Sequence, residues 1–297
     1  MVEEIYTEPS RFERLHAYVI ETGIAKVAIY LGLALFLVWS LFPVYWIVSA
    51  SLKTRPELVS PDPLWIPWGF HVENYLALFQ DRPEFPRFIL NSVVVTLVTT
   101  GIVTFLGAAT SYAFVTFDFP YNLDFHLPFY ILSTRFMPPI VIIIPLFIIY
   151  QSVGLVNSLS GLILTYSMFN LPFAVWMMKG FFDEFPQSIV ESAILDGHSH
   201  FGAFFKIVLP LVKPGLVATA IFTMIMTWNE LLFAVILAFN KEAITLPVGL
   251  AGFVAQYNVM WIRVAVGSTI AILPILLSAF ILRDEIIRGF SMGAVEK

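Results

Sequence analysis

Long apolar runs separated by short polar segments follow one another along the sequence. A helix that spans a bilayer needs about 20 mostly apolar residues, and the longest run is long enough for two such helices. The polar turn QSVGLVNSLSG at Gln151–Gly161 divides it. The pattern therefore predicts an all-α integral membrane protein with six spans, at about 27–49, within 88–117, on both sides of the turn within 127–178, and at 214–239 and 264–282.

The polar segments between the runs predict one six-helix domain at 27–282, with tails at 1–26 and 283–297. If every run crosses the bilayer once, both tails lie on the same side as a polar loop at about 180–213. That set of faces, with the connector between the second and third runs, carries nine Lys and Arg residues, against six on the opposite faces. The excess favours a cytoplasmic position for both termini and for the loop.

The loop at 180–213 has the pattern of two helices joined by a tight turn. Pro186 suits a helix's first turn, where its missing N–H group would have no partner. Ala193 and Ile194 are spaced to share one helix face with residue 189. Gly197 can end the helix in the left-handed conformation, and Ser199 can cap a second helix that contains Phe residues at 201, 204 and 205. The same pattern also fits a helix that merely rests on the membrane surface.

Composition supports the membrane assignment and removes several classes of function. The chain is 59% hydrophobic and 12% charged, whereas soluble domains are about a quarter charged. The net charge of −5 provides no basic footprint for nucleic acid. The sequence has no cysteine, so it can form neither disulfides nor thiolate metal sites.

Motifs for nucleotide, metal or hydrolytic chemistry are absent from the sequence. No glycine is followed by lysine, so there is no phosphate-binding G-x-x-x-x-G-K loop. His198 and His200 form an isolated H-x-H, and we predict no metal site. No catalytic pair of acids stands out. The remaining alternatives are a transport subunit, an autonomous secondary transporter, which usually shows more spans or an internal repeat, and an intramembrane enzyme, which should offer paired acids or a histidine cluster within its spans.

The loop also carries a pattern of fixed offsets: E-x-A, a glycine four residues after the alanine, then nine residues, then I-x-L-P. This pattern resembles the signature loop of membrane subunits of binding-protein-dependent ABC importers, although Ser192 stands where alanine is usual. The stretches SASLKTRPEL, TWNELLFAV, ITLPVGLAGF and IIRGFSMGAVEK are similar to the carbohydrate-uptake branch, close to the smaller maltose-type permease subunit.

The resemblance implies a type I ABC importer permease in a prokaryotic inner membrane, importing a sugar or polyol. It implies a second, related permease, two ATPase subunits that bind ATP and Mg²⁺, and an extracytoplasmic solute-binding protein; no cofactor is implied on this chain. The loop would be the coupling helix in a cleft of one ATPase subunit, and the tail at 289–297 would also reach that interface. The docking residues implied are Glu191, Ser192, Ala193, Asp196, Gly197, Ile207, Leu209 and Pro210.

Polar residues within the apolar runs are candidates for the solute path. Arg135 and Glu230 are charged, and a charge at bilayer depth usually faces protein or water because insertion costs about 2.5–3.5 kcal/mol. Asn170 and Asn229 could bond sugar hydroxyls, but asparagine also joins helices to one another. The four residues are therefore either path residues or structural partners. Prolines at 138, 139 and 145 predict kinks in the third span.

Overall fold

The computed structural model describes residues 23–62, 64–254 and 259–283. Most of the predicted N-terminal tail, and the C-terminal tail from 284 with its predicted ATPase contact at 289–297, lie outside the described residues. Within the described residues every regular element is a helix, apart from one isolated antiparallel bridge between Val254 and Val259. The chain divides into two units, one that ends at His71 and one that begins at Val72.

The described part of the first unit contains one long helix and one short helix. Helix α1 (Gly23–Ser51) carries no charge after Lys26 and meets the length of a membrane span, as predicted for 27–49. Helix α2 (Arg55–Leu58) follows after a short turn. Its first turn is closed by a capping box, in which the Glu57 carboxylate accepts hydrogen bonds from the amide and the hydroxyl of Thr54.

The described part of the second unit contains the remaining helices, two tighter 3₁₀ turns and one wider π-helical turn. The helices are α3 (Glu73–Asp81), α4 (Phe85–Thr116), α5 (Leu123–Ser133), α6 (Pro139–Ser152), α7 (Leu159–Asp183), α8 (Gln187–Leu195), α9 (His200–Ala203), α10 (Leu209–Leu211), α11 (Lys213–Trp228), α12 (Leu232–Leu237), α13 (Leu246–Ala251) and α14 (Trp261–Ile281). The turns are 3₁₀ at Pro120–Asn122 and Thr134–Phe136 and π-helical at Phe204–Val208.

Among the described residues four helices, α1, α4, α7 and α14, are each long and apolar enough to cross a membrane, and the number is up to six if each of two bent helix pairs is one span. The predicted third span is one of these pairs, because the segment Pro120–Phe136 meets α6 at 88°. The break falls at Met137 and Pro138, where consecutive prolines remove amide donors and disfavour the helical conformation of the preceding residue. Pro145 lies inside α6 and does not end it.

The predicted fifth span is a single run at 214–239, and here the structure differs. Helix α11 ends at Trp228 and α12 begins at Leu232, so the run is interrupted around Glu230. The Glu230 carboxylate accepts hydrogen bonds from the amides of Phe233 and Ala234, at 3.0 and 3.3 Å. It thereby satisfies amide groups that the first turn of α12 leaves without helical partners.

Helices α4 and α7 form the main helix–helix contact of the second unit. Gly107 lies so close to α7 that a Cβ added there would be 2.9 Å from the Cβ of Ala174. One turn later, the buried Ser111 hydroxyl donates to the Val175 carbonyl at 2.7 Å. Small residues spaced by four allow this approach, as is common between membrane helices. This contact joins the two helices near the end where the segment 187–211 begins.

Candidate functional site: a helical hairpin and a polar seam

The segment 187–211 folds as the predicted helix, turn and helix. Helix α8 ends at Asp196, and Gly197 follows with φ +89°, the left-handed conformation that glycine adopts at no steric cost. The amide of Gly197 donates to the Ile194 carbonyl and that of His198 to the Ala193 carbonyl, both at 3.0 Å. These two bonds form a Schellman motif, which fixes the direction in which the chain leaves α8.

The second helix of the hairpin begins as predicted, at Ser199. Its hydroxyl accepts the Gly202 amide at 3.1 Å and caps α9. After α9 the chain widens into the π-helical turn Phe204–Val208 before α10, a geometry that occurs often at functional sites. The segment His200–Leu211 then meets α11 at 79°. We refer to residues 187–211 as the hairpin.

The hairpin is anchored on the ends of α4 and α7. An apolar cluster joins the two helices to it, and its buried members are Ala108, Tyr112, Met178, Phe182, Val190, Phe204, Val208 and Val212. The Tyr112 hydroxyl donates to the His200 carbonyl at 3.2 Å, and the Gln187 amide group donates to the Val115 carbonyl at 2.5 Å. The first residues of α8 and of α9 are thus both hydrogen-bonded to α4, which attaches each helix of the hairpin to the membrane domain.

The tip of the hairpin exposes two large apolar side chains beside acids. Leu195 is 87% exposed and Phe201 is 73% exposed. Glu191 and Asp196, which flank Leu195, are also exposed. Sequence reasoning did not single out Leu195 or Phe201, because an apolar residue in an amphipathic helix is ordinarily assigned to the buried face. Two exposed apolar side chains at one tip make it a candidate for contact with another surface.

The structure divides the eight predicted docking residues into three groups. Glu191, Ser192, Asp196 and Gly197 are exposed around the tip. Ala193, by contrast, is 3% exposed and is packed inside the hairpin. The three others lie along the returning arm, with Ile207 and Leu209 half-buried and Pro210 exposed.

Two of the predicted path residues, Asn170 on α7 and Glu230 between α11 and α12, lie close to Tyr166 of α7. The Asn170 amide donates to the Tyr166 carbonyl at 2.9 Å and to the Thr227 hydroxyl at 3.4 Å, so it joins α7 to α11. The Tyr166 hydroxyl is buried near the Glu230 carboxylate and has no hydrogen-bond partner among the described residues. Residues 166, 170 and 173 are spaced to share a helix face. We call these three residues, together with Thr227 and Glu230, the polar seam.

Arg135 extends the seam at the break of the third span. Its guanidinium lies 5.3 Å from the ring of Phe173, which stacks on Phe222 at 4.1 Å. The Nη1 atom of Arg135 is buried without a hydrogen-bond partner in the described part of the chain. Asn229 is exposed and donates to the Ile225 carbonyl of its own helix at 2.8 Å. The structure thus brings three of the four predicted path residues together and leaves Asn229 apart.

Comparison with known families decides the class of the chain. Residues 122–291, which include the hairpin and the polar seam, match the model of the binding-protein-dependent transport system inner membrane component. The chain belongs to this family. It is therefore a multi-pass membrane component of a binding-protein-dependent transport system, as the signature loop predicted, and not an autonomous secondary transporter.

Full-length relatives and a solved structure agree with this assignment. The permease is 36% identical over 260 residues to the trehalose transport system permease protein SugB of Mycobacterium tuberculosis, covering 87% of this chain and 93% of SugB. It is 30% identical over 268 residues to the sulfoquinovosyl glycerol transport system permease protein SmoH of Agrobacterium fabrum, covering 90% and 93%. It is 27% identical over 278 residues to the trehalose/maltose transport system permease protein MalG of Thermococcus litoralis, covering 93% and 99%.

The fold is that of a known importer. A chain of a bacterial ABC transporter involved in the import of the acidic polysaccharide alginate superimposes with a TM-score of 0.71 at 20% identity, covering 94% of this chain and 99% of that one. The predicted fold, a type I ABC importer permease with six membrane-spanning helices, is thereby confirmed.

Proposed function

We propose that the chain is the pore subunit of an ATP-driven importer for a sugar or a polyol. Relatives are named for the transport of trehalose, maltose, diacetylchitobiose or sulfoquinovosyl glycerol, and all of these solutes carry several hydroxyl groups. ATP and Mg²⁺ would bind to partner ATPase subunits, because the sequence has no phosphate-binding loop. The chain itself would carry out no chemical step and would need no cofactor.

The partners would be a second, homologous permease, two ATPase subunits and an extracytoplasmic solute-binding protein. Both termini and the hairpin would lie in the cytoplasm, which the excess of Lys and Arg on those faces supports. The surrounding lipid is the bilayer of a prokaryotic inner membrane.

The coupling mechanism rests on one observation: an exposed tip on a rigid, buried base. Leu195 and Phe201 would enter an apolar cleft of one ATPase subunit, and Glu191 and Asp196 would face cations at its rim. The side chain at Ser192 and the open turn at Gly197 leave room for close approach. When the ATPase dimer closes, the force on the tip would pass through the Tyr112–His200 contact to α4 and change the access of the pore.

The polar seam is the part of this chain that we propose for the solute path. Arg135, with a buried nitrogen that lacks a partner, and Tyr166, with a buried hydroxyl that lacks one, could each bond a solute hydroxyl. The ring of Phe173 offers an apolar face to a sugar ring. Asn170 and Glu230 already hold other groups in place and would position the seam, and Asn229 would contribute least because it bonds within its own helix.

The experiment is uptake into proteoliposomes that contain the complete complex. We expect the vesicles to take up one member of a panel of sugars and polyols. This uptake should require both ATP inside the vesicles and the solute-binding protein outside them. A matched complex without the ATPase subunits should transport nothing. Uptake driven by an ion gradient in the absence of ATPase subunits would contradict the proposal.

A further inference from the structure

The loop that follows α1 exposes a group of large apolar side chains. Residues 64–70 read LWIPWGF and contain no charge. Trp65, Ile66, Trp68 and Phe70 are all exposed within the unit, Trp68 to 83%. An apolar patch of this kind is unfavourable in water and marks a surface that contacts a membrane or another protein. We call residues 64–70 the aromatic loop.

Three side chains spaced by four residues hold the aromatic loop against the end of α1. The Tyr45 hydroxyl and the Ser49 hydroxyl both donate to the Trp65 carbonyl, at 2.5 and 3.4 Å. The Lys53 ammonium donates to the Leu64 carbonyl. Tyr45 and Ser49, four residues apart, lie on one face of α1, and Lys53 follows in the turn just after the helix ends, so the three donors fix the loop beside the C-terminal end of α1.

Lys53 is the centre of this attachment. Its side chain is 1% exposed, and its ammonium lies 4.5 Å above the ring of Trp46. Burial lowers the pKa of Lys53, and the nearby Glu57 carboxylate opposes the shift. The loop is closed at its far end by the His71 amide, which donates to the Leu52 carbonyl at 3.1 Å. A buried charge with bonded neighbours indicates a fixed conformation and not a mobile linker.

The aromatic loop turns back along the membrane-spanning helix. The ring of Trp65 lies 5.9 Å from that of Trp46 and 6.1 Å from that of Phe42. These residues come five and nine positions before Ser51, the end of α1, which corresponds to roughly 8–14 Å along the helix axis. The loop therefore packs beside the last turns of α1 and not beyond its end.

We propose that the aromatic loop is an interfacial anchor that inserts into the headgroup and glycerol region of the leaflet at which α1 ends. The exposed rings are continuous with the exposed apolar surface of α1, where Val38, Trp39 and Leu41 also lie open. Tryptophan is enriched at this level of the bilayer because it combines an apolar ring with an N–H donor.

Because the sequence has no cysteine, the proposal can be tested with single cysteines in the full chain. Ile66→Cys, Trp68→Cys and, as control, the exposed Asp62→Cys carry a bimane label. The complex, with cysteine-free partners, is placed in vesicles of equal parts phosphatidylcholine and phosphatidylglycerol. We expect lipid-attached nitroxide to quench the labels at 66 and 68 at least about twofold more than at 62, because only the former lie at the level of the headgroups. Soluble iodide should show the reverse order.

Removing the attachment should release the anchor. Lys53→Met, which keeps the length of the side chain but not its donor, should abolish the preferential lipid quenching at position 68. If that variant fails to assemble, Tyr45→Phe removes a single donor and should reduce the quenching. Quenching of positions 66 and 68 by iodide alone would overturn the proposal. So would protection from both quenchers, or quenching that changes on adding the solute-binding protein, because each would place a protein on the loop. None of these outcomes depends on which solute is transported.

Discussion

The hydroxyl of Tyr112 in helix α4 donates a hydrogen bond to the carbonyl oxygen of His200, at 3.2 Å. Tyr112 belongs to the longest membrane helix of the chain, and His200 opens the second helix of the hairpin. The Tyr112 ring also lies 4.9 Å from that of Phe204. This pair is thus a direct connection between the exposed hairpin and the interior of the membrane domain.

Tyr112→Phe removes the hydrogen bond and keeps the ring. We expect the free energy of unfolding to fall by about 1 kcal/mol, the net value of one such bond, while transport per ATP hydrolysed falls more noticeably. The measurement is solute uptake together with ATPase rate in proteoliposomes. Tyr150→Phe is the matched control, because it removes a buried hydroxyl that bonds Thr165, away from the hairpin. Equal coupling losses in both variants would argue against a special role for Tyr112.

Gly197→Asp tests the docking turn. A Cβ at Gly197 would meet nothing within 4 Å, but the φ of +89° strains any side chain placed there; Asp and Asn adopt this region more readily than other residues. We therefore expect Gly197→Asp to lose about 1 kcal/mol of stability, to fold, and to abolish solute-stimulated ATPase activity. Gly197→Asn, of the same size without the charge, should retain more of that activity. Undiminished stimulation in the aspartate variant would count against docking at this turn.

Leu195→Ser tests the apolar tip. Since Leu195 makes little contact within its own chain, we expect the thermal unfolding midpoint to stay unchanged while co-purification of the ATPase subunits drops at least about tenfold, the effect of roughly 1.4 kcal/mol. Val153→Ser provides the control, because Val153 is likewise an exposed apolar residue, 61% accessible, in a connector at another part of the unit. Full retention of the ATPase subunits by Leu195→Ser would show that the tip is not a contact.

Gly107→Val tests the close contact between α4 and α7 beneath the hairpin. The new side chain would overlap Ala174, so we expect destabilisation of about 1–3 kcal/mol, typical of overpacking. Gly101→Val lies on the same helix with nothing within 4 Å of its Cβ and should be tolerated. The check is the thermal unfolding midpoint of both variants in the same detergent, where equal midpoints would contradict the close approach of α4 and α7.

The hairpin could be predicted in detail because its signals are local. A proline before α8, a glycine after it and a serine before α9 each act on the adjacent backbone alone. The break in the fifth run could not be predicted the same way. It depends on a carboxylate at Glu230 that turns back to bond two amides of its own chain, whereas hydropathy registers only an uninterrupted apolar run.

The path residues and the aromatic loop show a second limit of prediction from the sequence. Asn170 is hydrogen-bonded to Thr227, 57 positions later in the chain, and such a pairing leaves no signal in a single sequence. Lys53 reads as a solvated loop charge, yet the structure buries it against Trp46 and the Leu64 carbonyl. Burial of a charge depends on which acceptors the fold brings to it, and periodicity contains no information about them.

The most direct test of the account is cysteine labelling at the tip of the hairpin. Leu195→Cys, in the otherwise cysteine-free chain, is treated with a membrane-impermeant maleimide in vesicles of defined orientation, with and without the ATPase subunits. We expect labelling from the cytoplasmic face alone and strong protection when the ATPase subunits are bound. Labelling from the outer face, or equal labelling with and without the ATPase subunits, would contradict a cytoplasmic hairpin that receives force from the ATPase.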